Sequence, residues 1–223
     1  MGVNASEAKS TRVDTPGESR LGRRKARTRQ ALVDAAVSLI AEGRGDRASI
    51  QEITEAADIG FGSFYNHFES KEQLFEVASE ETLERWGRMI DRATEGISDS
   101  AERFAVSLRL SGRLSWTHPD IASFIAGGGF ALLDSTSGLA PRAARDIGTG
   151  QAAGRFSFPD TRIALSAVAG GLIGLLRLRE QEAEGIDESA VDQLAEACLR
   201  LLGVRSTEAR RLAHRPLPAV DHW

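Results

Sequence analysis

Apolar residues recur at helical spacing along most of this chain, and that period limits what the chain can fold into. The first stripe falls at i, i+3, i+4, i+7 and i+8, and consists of Leu32, Ala35, Ala36, Leu39 and Ile40. Beyond Asp91 the same period predicts helices at roughly 99–117, 119–134, 140–152, 160–184 and 187–203. No alternating strand pattern competes with these helices. The sequence therefore predicts an all-α fold.

Two short helices joined by a tight turn follow the first stripe. Ser49, with Glu52 three residues later, is a capping-box pattern that opens a helix. Asp58 tolerates the left-handed backbone that a sharp turn requires. Gly60 can cap the helix that follows the turn. This order of signals predicts a helix-turn-helix.

The second of these helices has an aromatic side and a polar side. Phe64 and Phe68, four residues apart, are predicted to face inward. The outer face then carries Gly62, Ser63, Tyr65, Asn66 and His67. A recognition helix enters the DNA major groove with its first residues, so small residues there allow close approach. The polar side chains are placed to bind phosphate oxygens or base edges.

Charge is distributed unevenly along the chain. Residues 20–48 hold eight basic and three acidic residues, a net charge of +5, whereas residues 72–223 carry a net charge of −5. A basic portion on an acidic body indicates a polyanion partner for one end only. A solvated basic arm is the other interpretation. Lys71 sits in the first turn of the next helix, where a phosphate explains its charge better than the helix dipole does.

Residues 53–75, ITEAADIGFGSFYNHFESKEQLF, resemble the DNA-binding domain of the TetR family of transcriptional regulators, and the likeness spans about residues 24–75. The resemblance implies a three-helix head that docks in operator DNA. It also implies a larger helical body that binds a small-molecule effector and forms a homodimer through its last two long helices. The family's usual DNA contacts fall on Ser49, Gly62, Tyr65, Asn66, His67 and Lys71.

Two residues depart from the family pattern. Asp58 stands where glycine is usual, and Phe61 stands where a polar residue, often lysine, is common. Phe61 either removes a phosphate contact or places an apolar group against a thymine methyl. The full predicted DNA-binding set is Arg23, Arg24, Arg27, Ser49, Phe61, Gly62, Ser63, Tyr65, Asn66, His67 and Lys71.

The long helix near the C-terminal end has one face of small residues. Its run from Ile163 to Leu176 is 14 residues long, shorter than a membrane span, and we interpret it as a buried helix. The small residues lie at i, i+3, i+4 and i+7, and the next helix offers a matching apolar stripe. We expect a dimer interface, with intrachain packing as the alternative, from Ala167, Gly170, Gly171, Gly174, Leu194, Cys198 and Leu201.

The body is expected to hold an effector cavity with a mostly apolar lining. The candidate lining residues are Trp86, Met89, Phe104, Leu108, Trp116, Phe124 and Phe130. Polar groups for such a cavity are available from Arg109, Arg113, Ser115 and His118. No cofactor, metal site or catalytic residue is predicted, because the histidines lack a metal-binding spacing and a single cysteine excludes a multi-cysteine site.

The sequence thus predicts a cytoplasmic, ligand-responsive DNA-binding regulator, with repression as the family expectation. One alternative is an architectural DNA-binding protein without an effector. Another is an all-helical hydrolase using Ser115, His118 and Asp120, whose clustering is common by chance. The predicted organisation is a disordered tail at 1–19, a helix-turn-helix domain at 20–70, an effector and dimerisation domain at 71–205, and a polar tail at 206–223.

Overall fold

A computed structural model describes residues 20–42, 44–45, 47–181 and 185–219, and the tail predicted at 1–19 lies outside these ranges. The regular elements within them are all helices, which confirms the predicted fold class. The α-helices are α1 Arg20–Ala41, α2 Ile50–Ala56, α3 Lys71–Ala93, α4 Ser100–Thr117, α5 Pro119–Gly128, α6 Leu139–Ala152, α7 Thr161–Gln181, α8 Ser189–Leu201 and α9 Ser206–Ala213. Two 3-10 helices are η1 Phe61–Asn66 and η2 Gly129–Asp134.

The first three helical elements pack around a small aromatic and aliphatic core. Leu32, Ile53 and Phe64 are completely buried, and Phe68 is nearly so. Each such side chain stabilises the fold by about 1.5–3 kcal/mol relative to an exposed one. We refer to residues 20–70 as the head. The inward placement of both phenylalanines leaves the opposite side of η1 facing outward.

The turn before η1 forms as the sequence predicts, but the helix after it is tighter than expected. Asp58 has a φ of 54°, in the left-handed region, and Gly60 is the N-cap with extended backbone. The Ser63 N–H donates to the Gly60 carbonyl at 2.8 Å, an i to i+3 bond of a 3-10 helix. The segment is only six residues long, and 3-10 geometry is typical of such short helical pieces.

The helix α3 connects the head to the rest of the chain. Its N-cap is Ser70, whose side chain accepts a hydrogen bond from the Gln73 N–H at 3.2 Å. One cluster of buried side chains continues from Leu32 in α1, through Leu83 in α3, to Ile121 in α5. Because this core is continuous, the predicted domain boundary at residue 70 stays a prediction.

The predicted helix at 119–134 is interrupted at its glycines. α5 ends at Gly128, and Gly129 adopts a φ of 54°, after which η2 begins. A positive φ is inexpensive only for glycine. The glycines at 127–129 therefore divide the predicted helix into α5 and η2.

The stretch from 206 onward is not simply a polar tail. Residues 206–213 form α9, which packs against α8 and α4 and buries Ala209, Leu212 and Ala213. These three residues lie at i, i+3 and i+4. So short an apolar stripe is difficult to recognise in the sequence among the surrounding charged residues. An ion pair between Arg155 and Glu208, at 2.8 Å, adds to this docking.

The prediction that the long apolar helix is buried was wrong for the single chain. In α7 the buried residues are Ala164, Val168 and Leu176, while Ile163 remains 70% exposed. By length and composition alone α7 could span a membrane. A single helix of this kind indicates a membrane span only weakly, because core helices of soluble proteins have the same properties. One side of α7 packs against α5, α6 and α8. Its other side is an apolar surface left uncovered by the described chain.

Candidate functional site

The outer face of η1 presents aromatic and polar side chains on a firmly packed base. Phe61 is 53% and Tyr65 is 57% exposed, whereas Phe64 beneath them is fully buried. The Tyr65 ring meets the Phe64 ring edge to face, with centroids 5.3 Å apart. Gly62 and Asn66 are also exposed. Of the predicted outer face, Gly62, Tyr65 and Asn66 are exposed as expected, whereas Ser63 and His67 are half-buried.

Glycines at the start of η1 are not needed for packing inside the chain. A Cβ atom added at Gly60 or Gly62 would meet no heavy atom within 4 Å. Neither residue has a positive φ. The absence of side chains here therefore leaves the backbone accessible from outside.

Ser49 caps α2 through a complete capping box. Its hydroxyl accepts from the Glu52 N–H at 3.2 Å, and its own N–H donates to Glu52 Oε2 at 2.8 Å. The Ser49 N–H and the Ser49 hydroxyl both donate to the Glu52 carboxylate and lower its pKa, and the nearby Arg44 contributes in the same direction. Ser49 is exposed, and α2 packs against η1.

Basic residues of α1 lie beside η1. Arg23, Arg24 and Arg27 are exposed along the first half of the helix. Burial, and then the positive charges of Lys25 and Arg29, lower the pKa of His67. These charges act on His67 because α1 passes close to the end of η1. Lys25 and Arg29 therefore lie near the end of η1, and the predicted DNA-binding residues Arg23, Arg24 and Arg27 belong to the same exposed half of α1.

The imidazole of His67 is half-buried, and its Nδ1 atom has no hydrogen-bond partner within the described part of the chain. The guanidinium of Arg29 covers the neighbouring Phe68 ring at 4.8 Å from its centroid. Lys71 is also half-buried, in the first turn of α3. Lys25 and Arg29 thus place positive charge at the junction of α1 with the end of η1.

A cavity of about 120 Å³ lies in the body between α3, α4, α5, α6, α7 and η2. Much of its wall is aliphatic or aromatic, including Leu83, Ile90, Phe104, Leu108 and Leu172. Such a lining, with few polar groups, is typical of a small-molecule site.

The polar groups of the cavity include two aspartates and two arginines, Asp91, Arg142, Arg145 and Asp146, which we call the polar end. Asp91 accepts from Arg142 Nε at 2.7 Å and from Arg145 Nη2 at 2.8 Å. Arg145 Nε also donates to Asp146 at 3.0 Å. Burial acts to raise the pKa of Asp91, but the two arginine hydrogen bonds outweigh it and lower that pKa.

Arg142 also ties the polar end to the middle of α3. Its Nη1 and Nη2 atoms donate to Glu84 at 2.8 and 2.9 Å, and the Gly138 N–H donates to the same carboxylate at 2.8 Å. Hydrogen bonding from Arg142 is the main cause that lowers the pKa of Glu84 to about 2. One arginine therefore links α6 to two acidic residues of α3.

The structure places two of the predicted cavity residues, Phe104 and Leu108, in the cavity wall. Trp86 and Met89 are buried in the core, Trp116 lies under Arg179, Phe124 borders a separate groove, and Phe130 is 57% exposed. Large aromatic size does not determine which side of a helix meets a cavity, so five of the seven fall elsewhere.

The polar groups suggested from the sequence also lie elsewhere. Arg109 and Arg113 pair with Asp192 of α8, at 2.7 and 3.0 Å. The polar end was missed because its members come from distant parts of the chain. One signal was available: Arg142, Arg145 and Asp146 lie at i, i+3 and i+4, a charged stripe in a helix otherwise rich in small residues.

The small-residue stripe of α7 divides between two surroundings. A Cβ at Gly171 would lie 2.9 Å from Leu194 and 3.9 Å from Cys198, so Gly171 and Cys198, predicted to meet a second chain, face each other within one chain. Cys198 is buried, and burial raises its thiol pKa to about 11. Gly170 is half-buried beside Phe130.

An outward stripe on α7 remains exposed at i, i+4, i+11 and i+15, formed by Ile163, Ala167, Gly174 and Leu178. On α8, Leu201 is 50% exposed. These residues make up the uncovered apolar surface, whereas Leu194 is half-buried against α7.

Two protein-family models match separate parts of the chain. Residues 32–78 match the model for bacterial regulatory proteins of the tetR family. Residues 99–215 match the model for the tetracyclin repressor-like C-terminal domain. The chain therefore belongs to the TetR family, and it is a DNA-binding transcriptional regulator.

Particular relatives are similar to different extents. The chain is 39% identical over 70 residues to the HTH-type transcriptional repressor DhaR of Mycobacterium sp. (strain GP1), a match spanning 31% of this chain and 35% of DhaR. The crystal structure of RolR with resorcinol is 37% identical, with a TM-score of 0.76, over 89% of this chain and 99% of RolR. The crystal structure of RolR without ligand is 36% identical, with a TM-score of 0.72, over 85% of this chain and 98% of RolR.

Proposed function

We propose that this protein is a homodimeric repressor that binds operator DNA through its head and is released by a small hydroxylated aromatic molecule. The observation that carries the proposal is the polar end of the cavity. There, two arginines and two aspartates are held by one another at the border of an apolar chamber. Fixed charged groups beside apolar walls suit a ligand with both a ring and hydrogen-bonding groups.

The size of the cavity favours a single ring. An engineered apolar cavity of about 150 Å³ binds benzene, and this cavity measures about 120 Å³. Hydroxyl groups can donate to Asp91 or Asp146 and accept from Arg142 or Arg145. Resorcinol, a benzene ring with two hydroxyl groups, is the ligand in the RolR complex. It is therefore the first probe to use.

The proposed DNA-binding surface comprises the outer face of η1, the start of α2 and the first half of α1. Tyr65 and Asn66 offer hydrogen-bonding groups to phosphates or base edges, and Gly62 allows close approach. Arg23, Arg24 and Arg27 supply charge for the phosphate backbone. Lys71, at the start of α3, lies at the same junction.

The helix α3 provides a physical connection between ligand and DNA. Lys71 begins α3 on the side of the head. Farther along α3, Glu84 pairs with Arg142 of α6, and Asp91 pairs with both Arg142 and Arg145. A ligand that forms hydrogen bonds with these arginines competes with the carboxylates of α3. If the ligand binds more tightly to the resulting arrangement, it opposes DNA binding by the same free energy.

The homodimer is supported by the outward stripe of α7. Ile163 and Leu178, both exposed in the single chain, lie on it with Ala167 and Gly174, whose small size allows another helix to approach closely. A twofold dimer would present two heads to half-sites about 34–36 Å apart, or a multiple of that distance. In the proposed dimer, the same stripe of a second chain covers the outward stripe of α7.

Release by a ligand is the property to test. An operator duplex is first selected from a random-sequence pool with the full-length protein, and binding is followed by fluorescence anisotropy during titration with resorcinol. Benzene, which lacks hydroxyl groups, is the comparison ligand. We expect resorcinol to release the duplex at a far lower concentration than benzene does. Failure of resorcinol and of related phenols to release the duplex would contradict the effector class.

Arg145→Gln separates ligand binding from DNA binding. Losing one charged hydrogen bond costs about 1.5–3 kcal/mol, so half-release should need about ten to a hundred times more resorcinol. Arg200→Gln, the same change at an exposed site on α8, is the matched control and should behave as wild type. Equal sensitivity of both variants would argue that the polar end does not hold the ligand.

A further inference from the structure

The geometry of the head points to a role for Phe61 in reading sequence. We propose that its ring packs against the C5 methyl group of a thymine in the major groove and selects that base at one position in each half-site. The inference rests on the proposed operator binding and adds a specificity determinant to it.

Phe61 is part of a held aromatic pair, not an isolated exposed residue. Its ring meets that of Tyr65 edge to face, with centroids 6.3 Å apart and planes at 74°. Tyr65 in turn rests on the fully buried Phe64. Because Phe64 is fixed in the core, the chain of ring contacts limits the directions in which Phe61 can point. An oriented ring can discriminate between surfaces, whereas a freely rotating one cannot.

The position of Phe61 suits contact with a base edge. It is the first residue of η1, and the first residues of a recognition helix are those that reach bases. Gly60 and Gly62 flank it, and neither meets another part of the chain at its Cβ position. Phe61 therefore projects from backbone that neither flanking residue shields with a side chain.

Charge around the aromatic pair identifies the partner as DNA. Residues 20–48 carry a net charge of +5, and Lys25 and Arg29 of α1 act on His67 at the end of η1. A phenyl ring has no hydrogen-bonding group with which to read the donors and acceptors of the bases. The thymine methyl is the apolar group that a major-groove edge presents, and phenylalanine is among the residues that contact it.

The test removes the methyl group without changing base pairing. A duplex is selected from a random pool with the full-length protein, and each thymine is replaced in turn by deoxyuridine. At one thymine per half-site we expect wild-type affinity to fall about fourfold, the effect of about 0.8 kcal/mol for one buried methyl group. Replacing that thymine in both half-sites should lower the affinity about fifteenfold.

Phe61→Ala should bind the thymine and deoxyuridine duplexes equally at that position, while its response at other thymines stays unchanged. Phe61→Leu, which remains apolar, should keep part of the discrimination. Its binding would show that a substitution at this position leaves the head folded. A wild-type protein indifferent to deoxyuridine at every position, or a Phe61→Ala variant with undiminished discrimination, would overturn the inference. Selection of no duplex at all would instead contradict the proposed operator binding.

Discussion

Replacing Glu84 by glutamine tests the connection between α3 and α6. The Glu84 carboxylate accepts two hydrogen bonds from Arg142 and one from the Gly138 N–H, all between 2.8 and 2.9 Å, and a longer one from Arg88 at 3.2 Å. Arg142 is chiefly responsible for lowering the pKa of Glu84 from 4.5 to about 2. Glutamine has nearly the same shape but no charge, so the substitution removes the ionic part of the junction and little of the packing.

The expected loss of stability follows from that shift. A depression of about 2.5 pKa units corresponds to about 3.4 kcal/mol at the conversion of about 1.36 kcal/mol per unit. Because 26% of the Glu84 side chain is exposed, water screens part of the interaction, and we expect Glu84→Gln to cost about 1.5–2.5 kcal/mol at pH 7. The folded-state pKa is the lower one, so this stability is present above about pH 4.5 and is lost as the pH falls toward 2.

The assay is urea unfolding followed by circular dichroism at fixed protein concentration, from pH 7 down to pH 3. The difference in unfolding free energy between wild type and Glu84→Gln should be largest at neutral pH and shrink below about pH 4.5. Glu81→Gln, which loses a more exposed pair with Arg85, is the control and should cost less than about 1 kcal/mol. A difference that is absent at pH 7, or constant across the range, would refute the reasoning.

Three further predictions concern the head and the α7 surface. Gly62→Ala should leave stability unchanged or raise it by up to about 1 kcal/mol, because its Cβ meets nothing, yet weaken operator binding in anisotropy measurements. Burial, and then the charges of Lys25 and Arg29, lower the pKa of His67, and bound phosphates would offset those charges. Operator affinity should therefore rise as pH falls from 8 to 6, by at most about tenfold per unit per chain, and His67→Asn should abolish this dependence. Ile163→Glu should shift sedimentation toward monomer, whereas an unchanged dimer would exclude this face as the interface.

Local signals account for what the sequence predicted well. The Ser49 cap, the Asp58 turn and the Gly60 N-cap each depend on residues within a few positions, and all three formed as expected. The inward packing of Phe64 and Phe68 follows from their spacing. Consequently the outward residues of η1, by exclusion, could also be placed from sequence.

Tertiary packing determines what the sequence did not predict. Arg142 and Asp91 are 51 positions apart and meet only because α6 lies across α3. The run of apolar residues in α7 gave no indication of which side the chain itself would cover. Of the small residues predicted to meet a second chain, Ala167 and Gly174 are exposed, whereas Gly171 packs against Leu194. In α9 three apolar residues were too few to stand out among charged neighbours.

The central claim is that the head binds duplex DNA through the outer face of η1. The most direct measurement compares wild type with Tyr65→Ala for binding to a selected operator duplex, at several salt concentrations, with unfolding measured alongside. We expect two wild-type chains per duplex, affinity that falls steeply with salt, and a marked loss of affinity in Tyr65→Ala without loss of stability, because Tyr65 is 57% exposed. Equal affinity of the two proteins, or no salt-dependent binding by either, would contradict the account.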